Sequence, residues 1–324
     1  MSANLLNRST VREAFSVLLD TGDLAPLISS VSFENSTNVE SQRYGFTSAI
    51  PRPVREGGPQ ITNRVTGRKI DVVNVPWSME EAIQLDDFRR DQTGQMNKRL
   101  GGMAEGFNSF KWERIVDILN NGHTSGVYPA YDGQSFFSTS HQIDKSPTQK
   151  NIVTSSEVAA LNIATVTANV AYPTPEEFVD AIVNSCMYMY GFKDGANRAM
   201  NRTAKSFLVV VPWQLAGAAT IAMTANFLAS GKTNPVKAAN DGGGFNIEVR
   251  AEPELTVLDT FFVLRRDGAD RRPFIFQEEV PVTVDFLGEG SEHAIKTKEV
   301  LLSARWVGAA APAEPLHALK CVLS

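Results

Sequence analysis

Apolar residues recur at helical spacing between positions 85 and 118. They are Leu85, Phe88, Met96, Leu100, Met103, Phe107, Phe110 and Ile118. At about 100° per residue they form one stripe about 120° wide, while Asp87, Asp91, Lys98 and Glu105 project from the opposite side. The pattern predicts a long amphipathic helix that packs along one face and meets water or a partner along the other.

Signals for the ends of this helix stand on both sides of the stripe. Ser78 and Glu81 have capping-box spacing after Pro76, and Gly122 stands where a left-handed residue commonly ends a helix. We therefore expect the helix to begin near Ser78 and to end before Gly122. Unbroken from Leu85, it would be about 55 Å long.

Gly101 and Gly102 lie inside the predicted helix. Each glycine costs about 1 kcal/mol relative to alanine in a helix interior. A bend or a close helix contact can offset that cost, so either is expected at this pair. A dimeric coiled coil is less favoured, because the mean step between apolar residues is nearer to 3.6 than to 3.5.

The segment before the helix predicts an arm followed by a hairpin. Residues 10–19 have amphipathic helical spacing, and the polar run SFENSTNVESQ that follows has few core-forming residues. Pro51 and Pro53 favour an irregular path, whereas β-branched residues in 62–76 favour extended chain. We expect a projecting hairpin that returns directly into the long helix. Arm and hairpin lack enough core residues of their own, so we expect them to pack on neighbouring copies.

The second half of the chain mixes helix and strand signals. Thr174 to Glu177 have capping-box spacing with proline at the first helical position, and Gly191 follows that helix. The run FLVVVP at 207–212 predicts a buried strand that feeds a helix over 213–228. Further strands are predicted at 260–265, 273–277, 281–286, 299–306 and 317–323.

Composition narrows the function classes. The 324 residues are 43% hydrophobic and 21% charged, as in an ordinary soluble protein, and the formal charge of -5 gives no basic excess to neutralise phosphates. Sequence-specific nucleic-acid binding is therefore disfavoured. Neither a signal peptide nor a membrane span is expected. Cys186 and Cys321 have no metal or redox spacing and are expected to be buried thiols in a reducing compartment.

Candidate chemistry is weak. The segment Gly231-Lys232-Thr233 is similar to the end of a phosphate-binding loop, but Asn226 replaces its first glycine and the residues before it favour helix over strand. His141 and Asp144 are the one near pair with metal-ligand spacing, and a hydrogen-bonded structural histidine is favoured there. We predict no catalytic residue, no cofactor site and no metal site.

Six segments, in order, resemble the Mu-like phage major head subunit family, also called the gpT family, whose members have the capsid fold of phage HK97. YDGQSFFSTSH is the most specific of them, and together they cover most of residues 44–282. The segments are YGFTSAIPRPVREGG, VPWSMEEAIQLDD, YDGQSFFSTSH, FLVVVPWQLAGAA, NPVK at 234–237 and RPFIFQEEVPV at 272–282.

The resemblance implies an α+β, HK97-like fold in five parts. These are an N-terminal arm (1–40), an extended loop (41–77), the spine helix with the first part of the peripheral domain (78–174), an axial domain (175–262) and the returning strands of the peripheral domain (263–324). It also implies a non-enzymatic function, namely the major capsid protein of a tailed double-stranded DNA phage. Such a protein self-assembles into hexamers and pentamers of an icosahedral shell.

Partners and location follow from the same resemblance. Portal and scaffold or decoration proteins are implied, together with packaged DNA held without sequence specificity and no membrane. Assembly in the host cytoplasm and residence in the virion are implied too. Mild acidity suits this function, because a shell that bound DNA tightly would impede packing and release. Two alternatives stay open: an encapsulin-like cellular compartment, and a nucleotide-dependent enzyme built around Lys232 and Thr233.

Opposite charges crowd the extended loop and the start of the spine helix. Acidic groups at a helix start also suit the helix dipole. We predict that loop and helix meet across subunits, the alternative being two independent solvated charge runs. We also predict that the spine helix bends at Gly101 and Gly102 in an immature shell. The predicted inter-subunit contacts are Tyr44, Phe46, Arg52, Arg55, Glu56, Arg64, Arg68, Lys69, Asp86, Asp87 and Asp91.

Overall fold

The structure, a computed structural model, describes residues 8–20, 24–47, 49, 67–89, 95–163, 170, 172–268 and 272–324. Helices in this part of the chain are α1 (Arg8–Asp20), α2 (Leu24–Val31), α3 (Leu85–Arg89), α4 (Gln95–Asn121), α5 (Pro175–Tyr190), α6 (Ala216–Thr224), α7 (Pro235–Asp241) and α8 (Glu292–Thr297). No helix among the described residues is long and apolar enough to cross a bilayer.

Strands form three sheets. They are β1 (Ser32–Ser36), β2 (Ser41–Thr47), β3 (Gly67–Val73), β4 (Val75–Gln84), β5 (Ile152–Val153), β6 (Ser206–Pro212), β7 (Asn246–Glu252), β8 (Thr260–Arg265), β9 (Phe274–Leu287), β10 (Glu299–Pro312) and β11 (Ala318–Val322). One sheet has the order β1-β9-β10-β4, a second has the order β5-β11-β8-β6-β7, and β2 pairs with β3 alone. The predicted α+β class is confirmed.

The helix start predicted at Ser78 is wrong. Ser78 and Glu81 lie in β4, opposite Arg305 and Leu302 of β10. Ten residues of antiparallel pairing with β10 outweigh a local cap signal, because the ladder satisfies more backbone groups than a single cap does. Helical structure begins only at Leu85, so the hairpin returns into a strand rather than into the helix.

The helix end was placed correctly, but for a different reason. α4 ends at Asn121, and Gly122 does not have the left-handed backbone that was expected. A Cβ at Gly122 would lie 2.4 Å from the Ile118 carbonyl oxygen and 3.0 Å from the Phe137 ring. Close packing therefore requires glycine at this position.

The predicted apolar stripe of α4 is confirmed. Leu100, Met103 and Phe107 are buried, whereas Lys98 and Glu105 are exposed. At 27 residues, α4 is about 40 Å long. The helix runs without a break through Gly101 and Gly102, and a Cβ at either would meet nothing within 4 Å. No close packing therefore occurs at this pair among the residues that the structure describes.

α4 joins the two larger sheets. Glu278 of β9 accepts hydrogen bonds from Lys111 Nζ at 2.9 Å and Trp306 Nε1 at 2.8 Å, which holds the helix against the four-stranded sheet. One residue along, Trp112 Nε1 donates to Glu252 Oε2 of β7 at 2.6 Å and reaches the five-stranded sheet. Because neighbouring positions face different sheets, α4 is the common support of both.

The arm was expected to lack a core within its own chain, and for residues 8–36 this is wrong. Val11 and Phe15, four residues apart on α1, are each 1% exposed and belong to the core that contains α4. β1 then pairs in parallel with β9. This segment is therefore part of the fold of its own subunit.

The last strands divide between the two larger sheets. β9 and β10 lie in the four-stranded sheet, whereas β11 pairs antiparallel with β8 inside the five-stranded sheet. Pairing between distant strands decides this, and no local pattern specifies it.

Candidate assembly site at the base of the hairpin

β2 and β3 form the hairpin that was expected at residues 41–76. Their register runs from Ser41 opposite Val73 to Thr47 opposite Gly67. Arg43 Nε lies 2.6 Å from Asp71 Oδ1 across the ladder, and its hydrogen bond lowers the pKa of Asp71. Both side chains are exposed, so this pair contributes little to stability.

A chain of polar side chains anchors the hairpin to β9. The Tyr44 hydroxyl donates to Gln277 Oε1 at 2.7 Å and accepts from Asn35 Nδ2 at 2.8 Å. Gln277 Nε2 donates to Asn74 Oδ1 at 2.7 Å, directly after β3. Burial raises the pKa of Tyr44, which keeps its hydroxyl a donor. Since Gln277 is fully buried, its bonds hold the hairpin in one position.

A second anchor holds the opposite end of the paired strands. The Phe46 ring stacks on Tyr131 with centroids 5.1 Å apart, and the Arg68 guanidinium lies 5.9 Å from the Tyr131 centroid. Arg68 also pairs with Asp144 at 3.3 Å. The Tyr131 hydroxyl donates to Glu314 Oε1 at 2.7 Å, and burial raises the pKa of Tyr131 well above its ordinary value. Tyr131 thus fixes both hairpin strands to the body of the subunit.

The segment that carries Tyr131 is closed by a buried hydrogen bond between a histidine and a carboxylate. His141 Nδ1 lies 2.7 Å from Asp132 Oδ2, and His141 Nε2 lies 3.1 Å from the Phe136 carbonyl oxygen. Burial acts to raise the pKa of Asp132, but the His141 hydrogen bond and charge outweigh it, and the pKa falls below the ordinary value. A turn at Gly133, with φ of 81°, brings the two ends together, and an Asp-Gly pair favours such a turn.

A structural role for His141 is therefore confirmed. Asp144, the candidate second ligand, pairs with Arg68 instead. Within the described ranges, no three His, Cys, Asp or Glu side chains are grouped so that they could hold a metal ion.

Residues 131–141 also join the two larger sheets. The Phe136 ring lies 5.4 Å from Phe274 at the start of β9, and the Phe137 ring lies 5.4 Å from Phe262 of β8. The most specific family-like segment is thus a joint between the hairpin and both sheets.

Of the other predicted contact residues, the structure describes Lys69, Asp86 and Asp87. Lys69 is exposed on β3, and Asp86 and Asp87 are exposed at the start of α3. Arg52, Arg55, Glu56, Arg64 and Asp91 lie outside the described residues. A meeting of loop and helix across subunits stays a prediction. Sequence reasoning missed Gln277 and Glu314, because no local signal links them to a hairpin more than 180 residues away.

Lys232 and Thr233 do not form a phosphate cradle. They lie in a turn between α6 and α7, where the Leu228 N–H donates to the Lys232 carbonyl oxygen at 2.9 Å, and no strand leads into the turn. The first free amide groups of α7 are capped by the Asn234 side chain, which accepts from Val236 at 3.0 Å. Lys232 is exposed, as expected for a lysine beyond a helix end.

Both cysteines are fully buried free thiols, as predicted. Burial raises the pKa of Cys321 to about 12 and raises that of Cys186 as well. The thiols therefore stay protonated and unreactive at neutral pH.

Comparisons with known proteins agree with this architecture. Residues 8–166 match the family model described as Mu-like prophage major head subunit gpT. No curated protein sequence matches the chain.

Solved structures of capsids and particles are similar to the chain. A chain of the procapsid of bacteriophage JBD30 has a TM-score of 0.55 at 12% identity, with 98% of this chain and 73% of that chain covered. The capsid of the native GTA particle has a TM-score of 0.55 at 12% identity over 92% of this chain and 89% of that chain. A virus-like particle from Pyrococcus furiosus has a TM-score of 0.51 at 10% identity over 97% and 98%.

The structural likenesses extend over nearly the whole chain and show the fold. The family match, in residues 8–166, includes the hairpin, α4 and the Tyr131 segment. Residues 8–166 are thus similar to the Mu-like gpT family of major head subunits, and the chain as a whole has the HK97-like fold of the capsid structures that it matches.

Proposed function

We propose that this major capsid protein assembles into the hexamers and pentamers of an icosahedral shell around double-stranded DNA. The observation that carries the proposal is the anchored hairpin. Among the described strands, β2 and β3 pair only with each other, and an isolated two-stranded hairpin is marginally stable in water. Its base is nevertheless fixed by Gln277 and Tyr131. A hairpin held in this way is suited to pack on a neighbouring copy.

The net charge of the chain supports a shell that binds its DNA weakly. The formal charge is -5, so the chain has no excess of basic residues to neutralise phosphates. DNA is then enclosed without sequence specificity. We further propose assembly in the host cytoplasm with portal and scaffold or decoration proteins, and no catalytic activity.

The extended loop and the start of the spine helix supply a candidate contact between copies. Five basic residues of the loop face three acidic residues of the helix start in this proposal, namely Arg52, Arg55, Arg64, Arg68 and Lys69 with Asp86, Asp87 and Asp91. A single exposed pair contributes about 0–1 kcal/mol, but every contact recurs throughout a shell. Arg68 is already paired with Asp144, which leaves the other four as the main candidates.

Electron microscopy of the purified recombinant chain tests the proposal. We expect closed particles of uniform size built from fivefold and sixfold rings. A compact monomer that forms no particles at any concentration, alone or with the proteins encoded beside it, would contradict the proposal.

A compartment that encloses enzymes is the second candidate, because the shell fold, which is also similar to the virus-like particle from Pyrococcus furiosus, does not by itself specify what is enclosed. Particles purified from the natural host distinguish the two. Nuclease-protected double-stranded DNA supports a phage head, whereas an enzyme cargo without DNA supports a compartment. For the nucleotide-dependent alternative, we expect Lys232→Ala to change no nucleotide binding, since its turn offers no cradle.

A further inference from the structure

Phe227 is a fixed apolar knob on the surface. Its side chain is 68% exposed, the largest fraction among the large apolar residues that the structure describes. A closed turn holds it in place, because Phe227 pairs with Thr233 and the Gly231 N–H donates to the Leu228 carbonyl oxygen at 2.9 Å. The ring is therefore presented to solvent by a rigid backbone.

The chain segment that leads to this knob carries no charge, and the nearest charged groups are Lys232 in the same turn and Glu176 beside Ser230. Residues 213–230 contain no Asp, Glu, Lys, Arg or His, although α6 lies at the surface. Trp213 is 58% exposed and Ile221 is 48% exposed in the same stretch. Single exposed apolar residues are ordinary, but an exposed aromatic ring in the turn that follows an uncharged surface helix is suited to contact another protein.

An apolar cavity lies at the C-terminal end of α5. It has a volume of about 480 Å³ and is lined by Pro147, Met187, Tyr188 and Phe192 among other residues. Tyr188 and Phe192 meet edge to face with centroids 5.6 Å apart, and Met187 is 42% exposed. The recess is open to solvent and combines these aromatic and aliphatic groups with polar walls that include Lys150, Glu157 and Lys193.

The walls of this cavity are fixed by hydrogen bonds. Gln149 Nε2 donates to the Lys193 carbonyl oxygen at 2.9 Å, and the Lys193 N–H donates to Gln149 Oε1 at 2.5 Å. Lys150 Nζ pairs with Glu157 at 2.6 Å on the same wall. Because the recess is already formed in the single chain, filling it costs little ordering of the protein.

Knob and cavity stand at opposite ends of one helix. The Ser230 N–H donates to Glu176 Oε1 at 2.8 Å, which places the knob at the first turn of α5, whereas Met187 and Tyr188 belong to its last turn. α5 has 16 residues, so about 24 Å separates its ends. Phe227 cannot reach the cavity of its own chain, but copies arranged head to tail bring each knob to the next cavity.

We propose that Phe227 of one copy inserts into the cavity at the end of α5 of the next copy. The contact is heterologous, so repetition closes a ring when the rotation between copies allows it. The charges beside both surfaces have opposite partners in their own chain. Glu176 lies near Lys232 beside the knob, and Lys150 pairs with Glu157 at the cavity. The proposal rests on the proposed function, because it names the contact by which copies form rings.

Assembly of the full-length chain with Phe227→Ser tests the knob. The concentration at which half of the protein assembles, measured by light scattering, should rise at least about tenfold, because a buried phenyl ring is lost from every contact. The matched control is Ile295→Ser on α8, which removes a side chain that is 66% exposed elsewhere and should leave that concentration unchanged. Equal melting temperatures of the unassembled chains show that folding is intact.

Cross-linking tests the partner surface. Chains with Phe227→Cys are mixed with chains with Met187→Cys and treated with a short bismaleimide. The two native thiols are buried, so the new cysteines are the accessible ones. We expect mixed covalent dimers, and none when Ile295→Cys replaces Phe227→Cys.

The two proposals can fail separately. The proposed knob contact is wrong if the wild-type chain forms shells, Phe227→Ser assembles normally and no mixed dimers form. The proposed function stands in that case. If the wild-type chain forms no rings or shells, the proposed function fails and the knob contact fails with it.

Discussion

At the scale of single residues, buried polar groups decide how the hairpin meets the body of the subunit. Gln277 is fully buried and its amide is used at both ends, by Tyr44 and by Asn74. Asp132 and His141 are likewise sealed from water, with side chains 3% and 0% exposed. Buried polar groups of this kind stabilise the fold only while all their hydrogen-bond partners are present. A buried donor or acceptor that lacks its partner lowers the free energy of unfolding.

Gln277→Met should therefore destabilise the folded subunit by about 1–3 kcal/mol, because Tyr44 and Asn74 lose the amide between them. Urea unfolding of the unassembled chain measures the change. Gln84→Met, at an exposed glutamine of β4, is the control and should stay within about 0.5 kcal/mol of wild type. Equal losses in the two variants would argue against the anchor.

The pair of Asp132 with His141 predicts a dependence on pH. The folded-state pKa of Asp132 lies below its ordinary value of about 4, so the ionised carboxylate stabilises the fold above that pH, and the contribution is lost as the pH falls through the folded-state pKa.

Asp132→Asn should thus cost about 1–3 kcal/mol at pH 7, and the gap to wild type should narrow as the pH falls below about 4. Urea unfolding between pH 7 and pH 3 measures it. Asp241→Asn, at a carboxylate whose side chain is 66% exposed, should show no such gap. A gap that stays constant with pH would mean that the charge of Asp132 is irrelevant.

At the scale of elements, α4 combines a buried apolar stripe with two glycines that have no closely packed neighbours among the described residues. Sequence periodicity predicted the stripe, because burial of Leu100 and Phe107 follows directly from helical spacing. The glycines have no packing role in the chain, since a Cβ at Gly101 or Gly102 would meet no atom within 4 Å. A bend in another state of the shell therefore remains the proposal for this pair.

Gly101→Ala combined with Gly102→Ala should raise the stability of the subunit by about 1–2 kcal/mol through helix propensity alone. If the helix bends there, the same variant should fail to form normal precursor shells. Calorimetry measures the first effect and electron microscopy the second. Gly106→Ala is the matched control in the same helix, where the mobile end of Met79 lies 3.2 Å from the new Cβ. Normal precursor and mature shells from the double variant would remove the bend.

At the scale of the whole molecule, assembly depends on surfaces that a single chain leaves open. The described part of residues 8–36 proved to be part of the subunit, so the hairpin and the charged surfaces carry the proposed exchange between copies. Exposed ion pairs are weak and screened by salt, but an array of them acts together. Salt dependence is therefore the signature of the proposed contact between loop and helix.

Arg55→Glu combined with Arg64→Glu should prevent assembly at low ionic strength, because acidic residues would then face Asp86 and Asp87. Added salt should partly restore it by screening the repulsion. Light scattering and electron microscopy across a salt series measure this. Lys237→Glu with Lys296→Glu makes the same change in net charge away from the loop and should assemble normally. Normal assembly of the loop variant at low salt would contradict the contact.

The sequence by itself determined the elements whose cause is local. The capping box of Thr174 and Glu177, the turn at Gly133 and the buried stripe of α4 all depend on residues a few positions apart. Six family-like segments, in the same order as in the family, added the fold class and the expected function of the chain.

Only the tertiary structure decided what distant partners impose. β10 turned Ser78 and Glu81 into strand residues, β8 drew β11 into the five-stranded sheet, and Gln277 joined the hairpin from more than 200 positions away. In each case, backbone groups or a buried side-chain amide need hydrogen-bond partners, and the fold supplies those partners from distant parts of the chain. This need overrides the local preference for helix or strand. Helical periodicity is visible in a short window, whereas the choice of a strand's partner is made by the whole chain.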